Sequence, residues 1–303
     1  MRASARIVAR SQPDGTTRLT TLAGEAPLLL RRTGQRRPPE SGTAADAAGP
    51  VPAQVHLVGG AAGPLGGDEL RCSVDLGPGA RLEVRSVAAS VALPGPNGRE
   101  SSLEIHVRVG EGAALSWSPQ PLIAARGARH RTFTRVELAS DARLVWRDEL
   151  VLGRDDEEPG SAATRLRVIR DGRVLLDHEI AVGPRHPGSL GPSGSGGHRA
   201  LGTMLIVEPA WADALRAAAD PASTKPAKAS ASRTTTPPQP PGRPPATSPP
   251  AISLPLIPLP QIPSQDDPGI AVAVLRLSGP AVLVSAAAAD GLALTRVLDS
   301  ALG

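Results

Sequence analysis

Along much of the chain, apolar and polar residues alternate one for one. Leu103-Glu104-Ile105-His106-Val107-Arg108-Val109 is the cleanest run: Leu, Ile and two Val fall on one face, Glu, His and Arg on the other. A period of two belongs to an extended strand, whose successive side chains point to opposite faces. The same or nearly the same alternation runs through residues 70–76, 81–87, 114–117, 133–138, 143–152, 164–169 and 174–180. Turn signals separate these runs: Gly77-Pro78-Gly79, Pro94-Gly95-Pro96-Asn97-Gly98, Gly110-Glu111-Gly112, Ser140-Asp141 and Asp171-Gly172. Short strands with such punctuation predict a mainly β fold, either a sandwich, a barrel or a β-helix-like stack of strands. No fixed-length repeat is evident, so a strict solenoid is not supported.

The flanks extend this plan. Residues 5–9 and 17–22 bracket Asp14-Gly15, a strong hairpin signal, and Leu28-Leu29-Leu30 forms a further apolar run. Residues 33–53 are polar and rich in Pro, Gly and Ala, and residues 183–198 are rich in Gly; both are expected to be mobile loops. Residues 203–207 return to strand, and 211–219 predict a short Ala-rich helix. Residues 221–268 are dense in Pro, Ser and Thr. Such a segment buries too little apolar surface to fold, and it is expected to be a disordered insertion. Its Leu254-Pro255-Leu256-Ile257-Pro258-Leu259-Pro260 suits an aromatic groove, although a passive linker needs no partner. Residues 270–277 and 281–285 predict strands, and 289–302 a helix with Asp290 as N-cap. The organisation expected is one β-rich domain over 1–220, the insertion at 221–268, and C-terminal strands and helix at 269–303 that complete the same domain.

Composition narrows the function classes. Of 303 residues, 40% are hydrophobic, but the aromatics are only Trp117, Phe133, Trp146 and Trp211, so the core must be aliphatic. The net charge of +4 and pI near 10.3 raise nucleic-acid binding. However, the acidic residues are interspersed with the arginines, and the only lysines, Lys225 and Lys228, lie in the insertion. No nucleic-acid partner is expected. The single Cys72 allows no intramolecular disulfide and reads as a small buried hydrophobe, which suits a reducing compartment. No apolar run reaches the roughly 18 residues of a membrane span, and no secretory leader is evident. The chain is expected to be cytoplasmic, with no membrane partner.

A search for chemistry returns no active site. His56, His106, His130, His178, His186 and His198 show no ligand spacing, and Asp177-His178-Glu179 on a strand would place only the two acids on one side. No tight metal site or bound cofactor is expected. Cys72 has no evident partner beyond a guess at His106, and neither a nucleophile elbow nor a P-loop is present. Asp148-Glu149 and Asp155-Asp156-Glu157-Glu158 are the paired acids, the second set reading as a solvated loop. An all-β carbohydrate-active enzyme, which would need two carboxylates facing across a cleft, is the alternative, together with a generic β-scaffold binding module. The remaining signals are architectural. Gly66-Gly67-Asp68 is a tight turn capped by its Asp. Pro119-Gln120-Pro121 is an extended connector short of two backbone donors. Gly153-Arg154 bends the end of a long strand and frees a guanidinium for a carboxylate, with Glu149 a candidate.

In their order, these elements resemble the urease accessory protein UreD (UreH) family. The matching features are a Gly-Gly-rich turn ending in Gly66-Gly67-Asp68, the segment Pro119-Gln120-Pro121-Leu122-Ile123, and the Glu149 to Gly153-Arg154 element. Arg165-Leu166-Arg167-Val168 followed by Asp171-Gly172 completes the pattern. The chain departs from the family where Ser86-Val87-Ala88-Ala89-Ser90-Val91-Ala92 lacks the usual Gln and Lys. The resemblance implies a non-catalytic scaffold with an elongated, β-helix-like fold. Its implied partners are the urease apoenzyme and UreF-like and UreG-like accessory proteins, and its implied cargo is nickel in transit through an internal passage.

Overall fold

The computed structural model describes residues 1–34, 51–212 and 269–301. Most of the loop expected at 33–53, the helix expected at 211–219 beyond Ala212, and the 221–268 insertion lie outside the described residues.

The strands in chain order are β1 (Arg2–Ser11), β2 (Thr17–Gly24), β3 (Leu28–Thr33), β4 (Ala53–Gly59), β5 (Glu69–Leu76), β6 (Arg81–Ser86), β7 (Ser90–Ala92), β8 (Ser101–Val109), β9 (Ala114–Ser118), β10 (Leu122–Ala124), β11 (Arg129–Leu138), β12 (Arg143–Leu152), β13 (Ser161–Arg170), β14 (Arg173–Val182), β15 (Ala200–Val207), β16 (Ile270–Arg276) and β17 (Ala281–Ala288). Helix α1 spans Gly291–Ser300. Two sheets result. One has the order β14-β13-β11-β8-β5-β1-β2; the other runs β16-β17-β15-β12-β9-β6-β4-β3, with β10 beside β12 and β7 beside β10.

The connectivity is that of a solenoid. From β4 to β13 the chain steps back and forth between the sheets, so that β5, β8, β11 and β13 are parallel neighbours in one sheet. In the other, β4, β6, β9 and β12 are parallel neighbours. The corners stack as regularly as the strands. The amides of Gly77, Gly110, Ala139 and Asp171 donate to the carbonyls of Ala9, Leu76, Val109 and Leu138 in the preceding coil, at 2.9–3.0 Å. After three of these corners comes a fully buried alanine, Ala80, Ala113 or Ala142, and then a buried leucine two residues on, Leu82, Leu115 or Leu144. Gly110 is required by close approach, because a Cβ there would lie 3.0 Å from the Leu76 carbonyl oxygen. The corner repeat Gly-x-Gly-Ala-x-Leu, relaxed to Ala-Ser-Asp-Ala-Arg-Leu at residues 139–144, is therefore a real internal repeat. It escapes a fixed-period search because the turns at the opposite rim differ in length, one of them carrying β7 and a 3₁₀ turn at Pro96–Gly98.

The inner faces of the two sheets form the main core, in which Ile7, Val74, Leu82, Val107, Leu144 and Leu205 are buried. Each such side chain contributes roughly 1.5–3 kcal/mol. Trp117 and Trp146 stack with parallel rings 4.9 Å apart. Antiparallel strands cap the solenoid. β1 and β2 form the hairpin expected at Asp14-Gly15, where the Asp14 carboxylate accepts from the amide and hydroxyl of Thr16 at 2.9 and 2.7 Å. At the other end β15, β17 and β16 extend the second sheet. Helix α1 covers the outer face there with Leu294, Val297 and Leu298, and Asp290 caps it by accepting from Ala293 N at 2.8 Å. The C-terminal segment thus builds onto the same sheet as β12.

Cys72 is a buried hydrophobe whose thiol is pushed up to about 12 by burial. It sits beside Ile105, on the face opposite His106, so the guessed Cys72–His106 pair does not form. The stretch expected as a loop at 183–198 is a chain of turns bonded to itself, with Ser195 buried at its centre.

Candidate functional site

The inner face of β12 reads Leu144, Trp146, Asp148, Leu150, Leu152. A carboxylate therefore stands in register with a core of large apolar groups. Asp148 Oδ2 accepts from Trp146 Nε1 at 2.8 Å. Burial pushes its carboxyl up from 3.8 to about 6, against the lowering effect of the Trp146 bond. Beside it lies a small cleft of about 10 Å³, room for about one water, partly open to solvent, with Asp148, Thr164, His178, Ile180 and Leu201 half-buried. Thr164 and Leu166 of β13, His178 and Ile180 of β14, and Leu201 and Thr203 of β15 complete its walls. Burial holds the His178 imidazole below its usual 6.5. The chamber thus presents one carboxylate, one imidazole and two hydroxyls at the edge of an apolar core. Carboxylate and imidazole are both ligands for divalent transition metals. Among the described residues no group of three or more His, Cys, Asp or Glu is placed to hold a metal ion, and a structural tetrahedral site needs four ligands.

Glu149 points the other way, beneath α1. Its Oε1 lies 2.6 Å from Arg147 Nε, and its Oε2 accepts from Thr295 Oγ1 at 2.9 Å. Arg147 also donates to the Thr295 carbonyl at 3.2 Å and to Asp299. The expected Glu149–Arg154 pair is not made. Arg154 pairs instead with Glu157, at 2.8 and 2.9 Å, and holds that carboxyl down at about 2. The Asp155–Glu158 run therefore holds an internal clamp. Gly153, at φ +77°, begins the bend, and its amide donates to Ala124 O at 2.9 Å.

The other residues singled out in the sequence lie on the rim where the chain enters the first sheet. Asp68 caps its turn as expected, accepting from Leu65 N at 2.9 Å, with Gly67 at φ +96°. Gly66 is pressed against Gly95 of the next coil: a Cβ on Gly95 would lie 1.9 Å from the Gly66 carbonyl oxygen. Pro119, Gln120 and Pro121 link β9 to β10, the Gln120 amide donating to Ser86 Oγ at 2.8 Å and the Pro121 carbonyl accepting from Ser90 N at 3.0 Å. The structure brings none of these residues together with Asp148. Asp177 and Glu179 share the outer face of β14 as expected, and Asp177 pairs with Arg165 at 2.8 Å. Between them, His178 faces inward. Asp148 was visible in the sequence as a charge at a core-phase position of an apolar strand. Thr164 and Thr203 carried no signal.

A second buried polar group lies on β11. His130 contacts Ser101 Oγ through Nδ1 at 2.9 Å and Thr132 Oγ1 through Nε2 at 3.0 Å. Ser101 donates to the Arg129 carbonyl, so its lone pair accepts Nδ1–H and Nε2 accepts from Thr132. Burial lowers this imidazole to about 4.

The UreD urease accessory protein family matches residues 1–302. Urease accessory protein UreD of Streptomyces coelicolor is 38% identical over 303 residues, covering all of this chain and 96% of the relative. The protein of that name from Parafrankia sp. is 37% identical over 323 residues, all of this chain and 88% of the relative. That of Streptomyces avermitilis is 44% identical over 210 residues, 69% and 78% of the two chains. With a match along almost its full length and relatives aligned end to end, the chain belongs to the UreD urease accessory protein family.

Proposed function

We propose that the protein is a non-catalytic scaffold for urease maturation. It binds the urease apoenzyme together with UreF-like and UreG-like accessory proteins, and nickel passes through it as cargo. The observation that supports this is the chamber at Asp148. A carboxylate shielded from water is costly, and here a half-buried one stands beside Trp146 with His178 and two threonines. Two metal-ligating groups offer a divalent ion a foothold without the four ligands that would trap it. A conduit needs that compromise, whereas a storage or catalytic metal site does not.

The test is complementation. A strain lacking this chain, with urease and the other accessory proteins intact, is expected to accumulate apo-urease protein without activity. The wild-type chain restores both activity and the nickel content of purified urease. Variants D148A and H178A restore less nickel while still co-purifying with apo-urease. Full urease activity in the deletion strain would sink the reading.

A further inference from the structure

We propose that the outer face of the β14-β13-β11-β8-β5-β1-β2 sheet is a docking surface for a protein partner rich in carboxylates. Its inner face is core, so the alternate residues of each strand point outward. Arginine donors outnumber acidic acceptors there. Glu137 alone serves both Arg108, at 3.3 Å, and Arg135, at 2.9 Å. Asp177 serves both Arg165, at 2.8 Å, and Arg167, at 3.6 Å. Each guanidinium has five N–H groups, so these shared acids leave donors directed at solvent. Register places Arg6, Ser73, His106, Arg135 and Arg167 in one row across five strands, with Asp177 at its edge. In the adjacent row stands Phe133, the chain's only phenylalanine, half-buried on the outer face and beside Arg165 and Glu104. Arginine and aromatic side chains are both enriched at protein interfaces.

Charge complementarity selects the occupant. A continuous phosphate backbone would run into Glu104, Glu137 and Asp177, which are scattered among the arginines. Carboxylates on flexible side chains, as on an acidic protein surface or polyglutamate, can settle on the arginines between those acids, whereas a duplex holds its phosphates at fixed spacing. The inference adds a surface to the scaffold reading and rests on it only for the identity of the partner.

The experiment immobilises three probes: apo-urease, polyglutamate and duplex DNA. The full chain is passed over each across a salt series. Wild type is expected to bind apo-urease and polyglutamate, more weakly as salt rises. The variants R135Q/R167Q and R135E/R167E are expected to bind both roughly tenfold or more weakly, with a shallower salt slope. The control R31E/R85E, on the other sheet, is expected to bind like wild type. Unchanged binding in both face variants, or tighter binding to DNA than to polyglutamate, overturns the proposal. Loss of apo-urease binding by wild type, with polyglutamate binding intact and sensitive to R135Q/R167Q, removes the partner named above and supports the face.

Discussion

Replacing Asp148 with Asn should make the protein more stable and less useful. The carboxyl is at about 6 in the fold against 3.8 in its ordinary state, and burial is the main cause. A raised folded value means that the favourable contribution of the protonated form is present below the unfolded value and is lost as pH rises through the folded one. At 1.36 kcal/mol per pH unit, and because water still reaches the half-buried side chain, the ionised group costs at most about 3 kcal/mol once pH exceeds about 7, and well under 1 kcal/mol below about pH 4. Asn keeps the volume and an oxygen for Trp146 Nε1, and it has no charge to desolvate. D148N is therefore expected to gain up to about 3 kcal/mol near pH 7.5, which for a chain of this size is a rise of roughly 6–12 °C in Tm. The gain should shrink to near nothing at about pH 4. Calorimetry of the two proteins at both pH values reads this directly. A gain that does not depend on pH, or a loss at both, would refute burial of a charge as the cost. The same variant should restore less nickel to urease, a trade of function against stability.

Acid should reveal His130. Its imidazole is held near 4 by burial, so the stability it confers is complete above about pH 6.5 and is lost as pH falls toward 4, a span of about 3 kcal/mol. Because Asp148 slopes the opposite way, the loss is best measured by denaturant unfolding in the D148N background, where H130Q should flatten it. Truncating Arg147 in R147M leaves Glu149 charged under α1 and should cost about 3–5 kcal/mol, while R147M/E149L should recover most of that; a neutral single variant in urea melts would contradict the network. G95A forces a Cβ into the Gly66 carbonyl and should cost at least about 3 kcal/mol or prevent folding, read as loss of soluble protein or of the urea midpoint.

Much of the fold was legible in the chain because a pleated strand imposes a period of two on any sequence that buries one face. The alternation marked β5, β8, β11, β12 and β13, the Asp14-Gly15 hairpin and the Asp290 cap, each a matter of neighbours in sequence. The same alternation held the clue to Asp148, a charge in step with Leu144, Trp146 and Leu150. The tertiary structure alone decided which strands became neighbours. Parallel pairing joins residues some thirty positions apart through corners of unequal length, so neither the stacking of Gly77 on Gly110 nor the contact of Gly66 with Gly95 leaves a periodic trace. It also decided that Glu149 belongs to Arg147 and Thr295 and not to Arg154. Above all, the chamber exists only because β12, β13, β14 and β15 converge on it from two sheets. The polar groups that line it are ordinary Asp, His and Thr residues until the packing of those sheets sets them against apolar neighbours and limits their contact with water.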